Sequence, residues 1–238
     1  MTEEITWKSL RARARTTPQK LGLDLAVAHL SPDPYAAFVD LVNRGILWSA
    51  AQLSKNKNII QGMNEDQLTT LLLTPLIGVG FVGHHDVNVG GHCDIYIEFD
   101  DEQIWLGEAK IHSDYGTLFG GFQQLAERYS TGLPGQDRGG FILYIFSKDA
   151  GSVMRTWLDY LGENVSDMTK IYDADAMFGQ TTHPHVGSGR ELHVVHYPVA
   201  LYHKPTDVNP PPPRKRNRGL QGKCGDESKV QVPLSEPP

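Results

Sequence analysis

The spacing of apolar residues changes along the chain and predicts a helix-rich start followed by a mixed α/β region. In residues 1–60, "PYAAFVDLVNRGILWSAAQL" places apolar side chains on a rough helical stripe, and Gly45 is expected to separate two helical segments. The next segment, "NEDQLTTLLLTPLIGVGF", opens with Asn64 and Gln67, the spacing of a capping box at the start of a helix. Glu65 falls in its first turn and shares a face with the leucines that pack onto the sheet.

Strand-like patterns follow this helix. "FVGHHDVNVG", "HCDIYIEF" and "QIWLGEAKI" are separated by glycine or acidic turns, and "GGFILYIFSKD" is a continuous apolar run typical of a central strand. Helical spacing returns in "YGTLFGGFQQLAERYSTG" and "SVMRTWLDYLGEN". "ELHVVHYPVALYHK" adds one or two late strands, with Pro198 indicating an edge or a break. We therefore predict an α/β fold with a central mixed sheet of four to five strands flanked by helices.

The ends of the chain differ from its centre in composition. From residue 208 to residue 238 proline dominates and apolar residues become rare, which predicts a Pro-rich, basic, disordered tail after a core over residues 61–207. No run approaches the roughly 18 apolar residues of a membrane helix, and the start lacks the apolar stretch of a secretory signal. We expect a cytoplasmic protein that does not enter a membrane.

Charge narrows the function classes. A net charge of −6 argues against a protein that coats nucleic acid by bulk electrostatics, although it leaves nucleic-acid enzymes open. The basic segments "KSLRARAR" and "RKRNR" lie near the two ends. These segments would supply phosphate contacts, or would simply be solvated charge.

The candidate chemistry lies in two adjacent strands. Asp94 is on one face of its strand because side chains alternate, and Glu108 and Lys110 share a face of the next strand. If the turn "DDEQ" closes a hairpin with an odd-numbered loop, Asp94 lies opposite Glu108 or Lys110. Carboxylates on a packed face are costly to desolvate, and a divalent cation compensates that cost. Hard oxygen ligands of this kind suit Mg²⁺, for which Mn²⁺ is the expected substitute.

These residues resemble the motif of the PD-(D/E)XK, or restriction-endonuclease-like, nuclease superfamily. The similarity runs through "NEDQLTTLLL", "HCDIYIEF", "LGEAK" and "GFQQLAERY", which cover residues 64 to about 146. The shared order is a helix glutamate, a strand aspartate, E-x-K on the next strand and a helix carrying glutamine. The residue before Asp94 is Cys93 rather than proline, which leaves the assignment intact.

The resemblance implies roles for named residues. Asp94 and Glu108 would be metal ligands, with Glu65 supporting the metal directly or through water. Lys110 would orient or deprotonate the attacking water. A helix glutamine would border the site, and the choice stays open: the wording "QQLAERY" favours Gln124, whereas a helical count places Gln123 nearer the apolar stripe.

The function implied by the resemblance is Mg²⁺-dependent endonuclease cleavage of DNA, as in restriction or antiphage effectors. Such small nucleases commonly form homo-oligomers or act beside a sensor or regulatory protein. Two alternatives stay open: a non-cleaving subunit that binds DNA or protein on a nuclease-like fold, and a ribonuclease on the same fold.

The histidines offer further alternatives. His92 and His112 flank the acidic cluster and would contact a substrate phosphate or be ordinary strand-end residues. Zinc could be held by His84, His85, His92 and Cys93, or by His183, His185, His193 and His196, but neither set has the spacing of a structural zinc site.

Overall fold

The computed structural model describes residues 6–175 and 177–206. The described chain as far as His203 belongs to one compact unit. The predicted tail over residues 208–238 lies outside the described residues. Among those residues, no helix combines the length and the apolar character needed to cross a membrane.

A mixed β-sheet forms the centre of this unit. It has seven strands in the order β1-β2-β3-β4-β7-β6-β5. The pairs β3–β4 and β4–β7 are parallel and the other neighbours are antiparallel. The strands are β1 (Val82–Asn88), β2 (His92–Glu98), β3 (Ile104–Ile111), β4 (Arg138–Ile145), β5 (Thr169–Asp173), β6 (Phe178–Pro184) and β7 (Glu191–Ala200).

Helices cover both faces of the sheet. They are α1 (Trp7–Arg13), α2 (Thr17–Ala26), α3 (Pro34–Lys55), α4 (Glu65–Val79), α5 (Tyr115–Gln123) and α6 (Ala150–Asn164), with a 3₁₀ turn at Ala28–Leu30 and a π-helical segment at Gln124–Tyr129. Side chains of α3 and α4 form one buried cluster with one face of the sheet. Those of α5, the π-helical segment and α6 form a second cluster with the other face. The predicted α/β class, with a mixed sheet flanked by helices, is confirmed.

The predicted strand number of four to five is wrong. The two strands that sequence patterns did not reveal are β5, "TKIYD", and β6, "FGQTTHP". Four of the five residues of β5 are exposed, because this strand lies at the end of the sheet. An exposed edge strand needs no apolar alternation, so its sequence carries little of the usual signal.

The prediction that Gly45 separates two helical segments is wrong. Helix α3 runs through it without a break from Pro34 to Lys55. A Cβ atom at Gly45 would stand 3.3 Å from the Leu76 side chain, so this glycine lets α3 approach α4 closely. Gly45 therefore allows two helices to pack together and does not end a helix.

Pro198 lies in β7, which is an interior strand of the sheet with β4 on one side and β6 on the other. Of the two predicted alternatives, an edge or a break, an edge does not hold for β7 as a whole. The pairs with β6 end at His196, whereas the pairs with β4 continue to Ala200. Pro198 thus occupies the part of β7 that has a partner strand on one side only, where a missing N–H is tolerated.

Candidate active site

The hairpin of β2 and β3 sets the relative position of the acidic residues. Ile95 pairs with Gly107 and Ile97 pairs with Trp105, which is the register that puts Asp94 opposite Glu108. The turn is closed by the Phe99 amide donating to the carbonyl of Gln103, so the intervening loop is odd-numbered as the geometric argument required. Both carboxylates therefore lie on the sheet face that α5 covers.

Lys110 is the centre of the cluster. Its Nζ lies 2.7 Å from Glu108 Oε1, 2.9 Å from Glu65 Oε1 and 3.6 Å from Asp94 Oδ2. The ammonium also donates to the carbonyl oxygen of Ala109 at 3.0 Å. The structure thus brings together four of the residues singled out from the sequence, from α4, β2 and β3.

Glu65 reaches the cluster from the first turn of α4. The helix begins with the predicted capping box, in which the Asn64 side chain accepts from the Gln67 amide and the Gln67 side chain accepts from the Asn64 amide. Glu65 Oε2 then accepts from the backbone amide of Ile111 at 2.8 Å. This bond ties the start of α4 to the end of β3 and leaves Oε1 for Lys110.

Asp94 is fixed by a bond across the hairpin. Its Oδ2 accepts from the Ala109 amide at 2.8 Å, so the side chain takes the place of a backbone partner between the strands. Burial raises the pKa of Asp94, against the effect of the Lys110 charge and this amide. The preceding Cys93 is fully buried, and burial raises the pKa of its thiol to about 12, so this residue packs rather than reacts.

Glu108 is the most buried acid, with 1% of its surface exposed. Burial and then the nearby Asp94 charge raise the pKa of Glu108 to about 7. Its Oε1 meets Lys110, but its Oε2 is buried without a hydrogen-bond partner among the described residues. A buried carboxylate oxygen without a partner is costly, and a cation bound beside it would remove that cost.

Lys110 is an ammonium in this arrangement. Burial alone would lower its pKa, but the surrounding carboxylates, Glu108 first, together raise it above its ordinary value. This charge suits the predicted role of orienting the attacking water, whereas deprotonating that water would need the neutral amine. The side chain can donate to water or phosphate oxygens while it remains charged.

The two candidate glutamines lie where α5 changes into the π-helical segment. Gln123 is exposed and its Nε2 donates to Glu127 Oε1 at 3.3 Å, whereas Gln124 is half-buried. Both line a groove that also contains Lys110 and Arg128. The wider π-helical turn changes the direction in which successive side chains point around the helix axis. A count at 3.6 residues per turn could therefore not decide between the two glutamines.

Two groove residues escaped the sequence analysis. A Cβ atom at Gly121 would stand 2.8 Å from Lys110 Cγ and 2.9 Å from Lys110 Cε, so the bare glycine makes room for the lysine. The signal was available: glycine inside an amphipathic helix is unfavourable and indicates close packing. Arg128 carried no comparable signal, because it lies on an exposed helix face.

The flanking histidines differ in environment. His92 is exposed and its Nδ1 lies 2.8 Å from Asp86 Oδ1. His112 packs against the Tyr115 ring, with centroids 5.2 Å apart, and burial lowers its pKa. Neither imidazole makes a hydrogen bond to the carboxylates around Lys110 among the residues described.

The possible metal ligands of the cluster are mainly carboxylate oxygens. Within residues 6–175 and 177–206, no three His, Cys, Asp or Glu side chains are grouped as a ready-made metal site, and this includes both histidine sets considered for zinc. The Lys110 ammonium lies among the carboxylates instead. The chemistry of the donors still fits Mg²⁺, since the atoms available as ligands are carboxylate and carbonyl oxygens and Glu108 Oε2 has no partner in the described chain.

No protein-family model, no curated protein and no solved structure matches this chain. The resemblance to PD-(D/E)XK nucleases therefore rests on the motif residues and their arrangement.

Proposed function

We propose that the protein is a metal-dependent deoxyribonuclease with a restriction-endonuclease-like core, which hydrolyses phosphodiester bonds in DNA. The observation that carries this proposal is the convergence of Asp94, Glu108 and Glu65 around Lys110, in the register the motif requires. The cluster lies at the end of β3 beside an open groove, where a substrate could reach it.

Asp94 and Glu108 would hold Mg²⁺ or Mn²⁺, with Glu65 supporting it and the Ala109 carbonyl as a neighbouring oxygen. When bound, the ion would polarise the scissile phosphate and lower the pKa of a water molecule. The buried position of Glu108 suits this role, because a ligand in a dry pocket interacts strongly with a cation.

Lys110 would place the attacking water and offset negative charge on the phosphate. Its aliphatic stem packs closely over Gly121, and its ammonium lies within hydrogen-bond distance of Glu65 and Glu108. A positioned amine of this kind lowers the barrier by orientation and by electrostatic stabilisation. Arg128, in the same groove, would hold a neighbouring phosphate of the strand.

A non-cleaving binding subunit is the weaker alternative. Three carboxylates at the point where phosphate would lie oppose DNA binding unless a cation accompanies them. The body of the chain is acidic, so affinity would depend on few cationic contacts, and a second copy or a sensor protein would supply the rest.

We further propose that the protein acts in the cytoplasm as a restriction or antiphage effector.

The test is an incubation of the purified full-length protein with circular and linear double-stranded DNA, single-stranded DNA and RNA. Each substrate is given with Mg²⁺, with Mn²⁺ or with chelator. Cleavage of DNA with either ion but not with chelator is the expected result. Cleavage of RNA alone would replace DNA by RNA as the substrate, and binding without cleavage of any substrate would reject the enzyme.

A further inference from the structure

A second cavity lies across the α5 helix from the acidic cluster. It has a volume of about 430 Å³, within the roughly 300–1,000 Å³ of small-molecule sites. Its walls come from the α5 and π-helical region, the loop after α6 and the β6–β7 turn. Gln123 and Glu127 belong to both this cavity and the groove of Lys110, so the two spaces share one wall.

The two spaces share Glu127 but differ in their cations. The groove on one side of the wall contains two cations, Lys110 and Arg128. In the described chain no lysine or arginine lines the cavity on the other side, whereas the acids Glu127 and Asp167 do. Once a cation accompanies the acidic cluster, a phosphate is therefore favoured in the groove and disfavoured in the cavity.

Two phenylalanines, Phe119 and Phe122, belong to the cavity wall. Phe119 is half-buried and stands edge-on to Tyr160, with ring centroids 5.8 Å apart. Phe122 is buried, and its ring centroid lies 5.4 Å from that of His183. The exposed part of Phe119 can stack on a planar heteroaromatic ring, and Phe122 supports the wall from behind, where it also packs against Trp157.

His183 carries unused hydrogen-bonding capacity in this wall. Only 5% of its surface is exposed, and its Nδ1 is buried without a partner among the described residues. Burial, together with the adjacent His185 and His193, lowers the pKa of its imidazole, so the ring is neutral at physiological pH. The neighbouring His185 is different, because its two nitrogens lie within hydrogen-bond distance of the Ser188 amide and the Ser130 carbonyl oxygen.

We propose that this cavity binds one unstacked nucleobase of the DNA strand whose phosphate lies in the Lys110 groove, and that it selects a base bearing an exocyclic amino group. This inference rests on the proposed function. The strand would cross the wall formed by Gln123 and Glu127, which are joined by a hydrogen bond of 3.3 Å. The carboxylates of Glu127 and Asp167 would accept from the amino group, which thymine lacks.

The test uses the full-length protein and free deoxynucleosides, so that it does not depend on cleavage. Ring signals of His183, assigned with His183→Phe, are followed by NMR while deoxyadenosine, deoxycytidine or thymidine is added. Ser166→Trp places an indole at the exposed rim of the cavity and should block it. Thr70→Trp adds the same group to an exposed position of α4, on the other face of the sheet, and is the matched control.

Deoxyadenosine or deoxycytidine should shift the His183 signals and thymidine should bind roughly 5- to 150-fold more weakly, the range for one pair of base contacts. Ser166→Trp should abolish the shift and Thr70→Trp should retain it. Absence of any shift in the wild-type protein, or equal binding of thymidine, would overturn the proposal.

Cleavage separates this proposal from the proposed function. Asp94→Asn should lose cleavage and keep nucleoside binding, because Asp94 does not line the cavity. In the wild-type protein, mapped cut sites should show a preferred base at a fixed distance from the cut, and Ser166→Trp should lose it. Unchanged cut sites in that variant would reject the cavity and leave the nuclease standing, whereas nucleoside binding without any cleavage would reject the nuclease alone.

Discussion

Lys110 depends on the absence of a side chain at Gly121. A Cβ atom there would overlap the lysine stem, with separations of 2.8 and 2.9 Å, whereas a Cβ atom at Gly120 would meet nothing within 4 Å. We predict that Gly121→Ala lowers the cleavage rate by roughly 100-fold, because small displacements of a positioned group are that costly. Thermal unfolding should show little loss, since alanine favours the helix.

Gly120→Ala is the control for this prediction, because it makes the same change one residue earlier. It should cleave at the wild-type rate and unfold at the same temperature or slightly higher. Equal cleavage rates for the two alanine variants would show that the position of Lys110 does not matter.

A buried histidine on the same side of the sheet makes stability depend on pH. His196 is fully buried, accepts from Trp157 Nε1 at its Nδ1, and has its Nε2 2.8 Å from Thr181 Oγ1. Burial, and next the nearby His183, lower its pKa from 6.5 to about 3. The unfolded chain therefore binds this proton below about pH 6.5 while the folded chain stays neutral, so acidification favours unfolding.

We predict that lowering the pH from 8 to 5 reduces the free energy of unfolding by about 2 kcal/mol through His196 alone. Urea unfolding of the wild-type protein and of His196→Gln at both pH values measures it. The variant should be less stable at pH 8, and the difference should shrink by about 2 kcal/mol at pH 5. A difference that is independent of pH would contradict the account.

At the scale of elements, the start of α4 is the part of the site most clearly encoded. Asn64 and Gln67 exchange two hydrogen bonds with the backbone and fix the turn that carries Glu65. We predict that Asn64→Ala costs about 1 kcal/mol of unfolding free energy, the usual value for a lost N-cap. Urea titration measures it, with Thr70→Ala as a control on the exposed face of the same helix, and an equal loss in both variants would contradict the role of the cap.

Local periodicity predicted the strands and helices that have a buried face. Alternation placed Asp94 and Glu108 on one side of the sheet, and the loop parity decided that they face each other. It could not reveal β5, which is largely exposed, or the continuity of α3 through Gly45, which depends on contact with Leu76. Such contacts join residues that are distant in sequence.

The chemistry of the site was only partly predictable for the same reason. Residue types and spacing indicated an acidic cluster with an amine, yet the raised pKa of Lys110 depends on three carboxylates from separate elements. The choice between Gln123 and Gln124 depended on a π-helical segment, which no pattern in the sequence announced. Periodicity thus predicts on which face of the sheet a side chain lies, whereas its protonation state depends on contacts between residues far apart in sequence.

At the scale of the whole molecule, a seven-stranded sheet separates two helical layers, and Glu65 in the first turn of α4 reaches the end of β3. Glu65 comes from the layer on one face, whereas Lys110 and Glu108 lie on the opposite face. The acidic cluster therefore forms only when the complete fold is assembled. The claim that this cluster is a metal-dependent nuclease site is the one on which the other functional proposals rest.

The most direct test of that claim is the rate of Mg²⁺-dependent plasmid cleavage in Asp94→Asn. The amide is isosteric and can still accept from the Ala109 amide, so the fold should be retained while the charge for the cation is lost. Asp101→Asn, at an exposed position in the adjoining turn, is the matched control. We predict cleavage by the wild-type protein and Asp101→Asn and none by Asp94→Asn; equal cleavage by all three would contradict the claim.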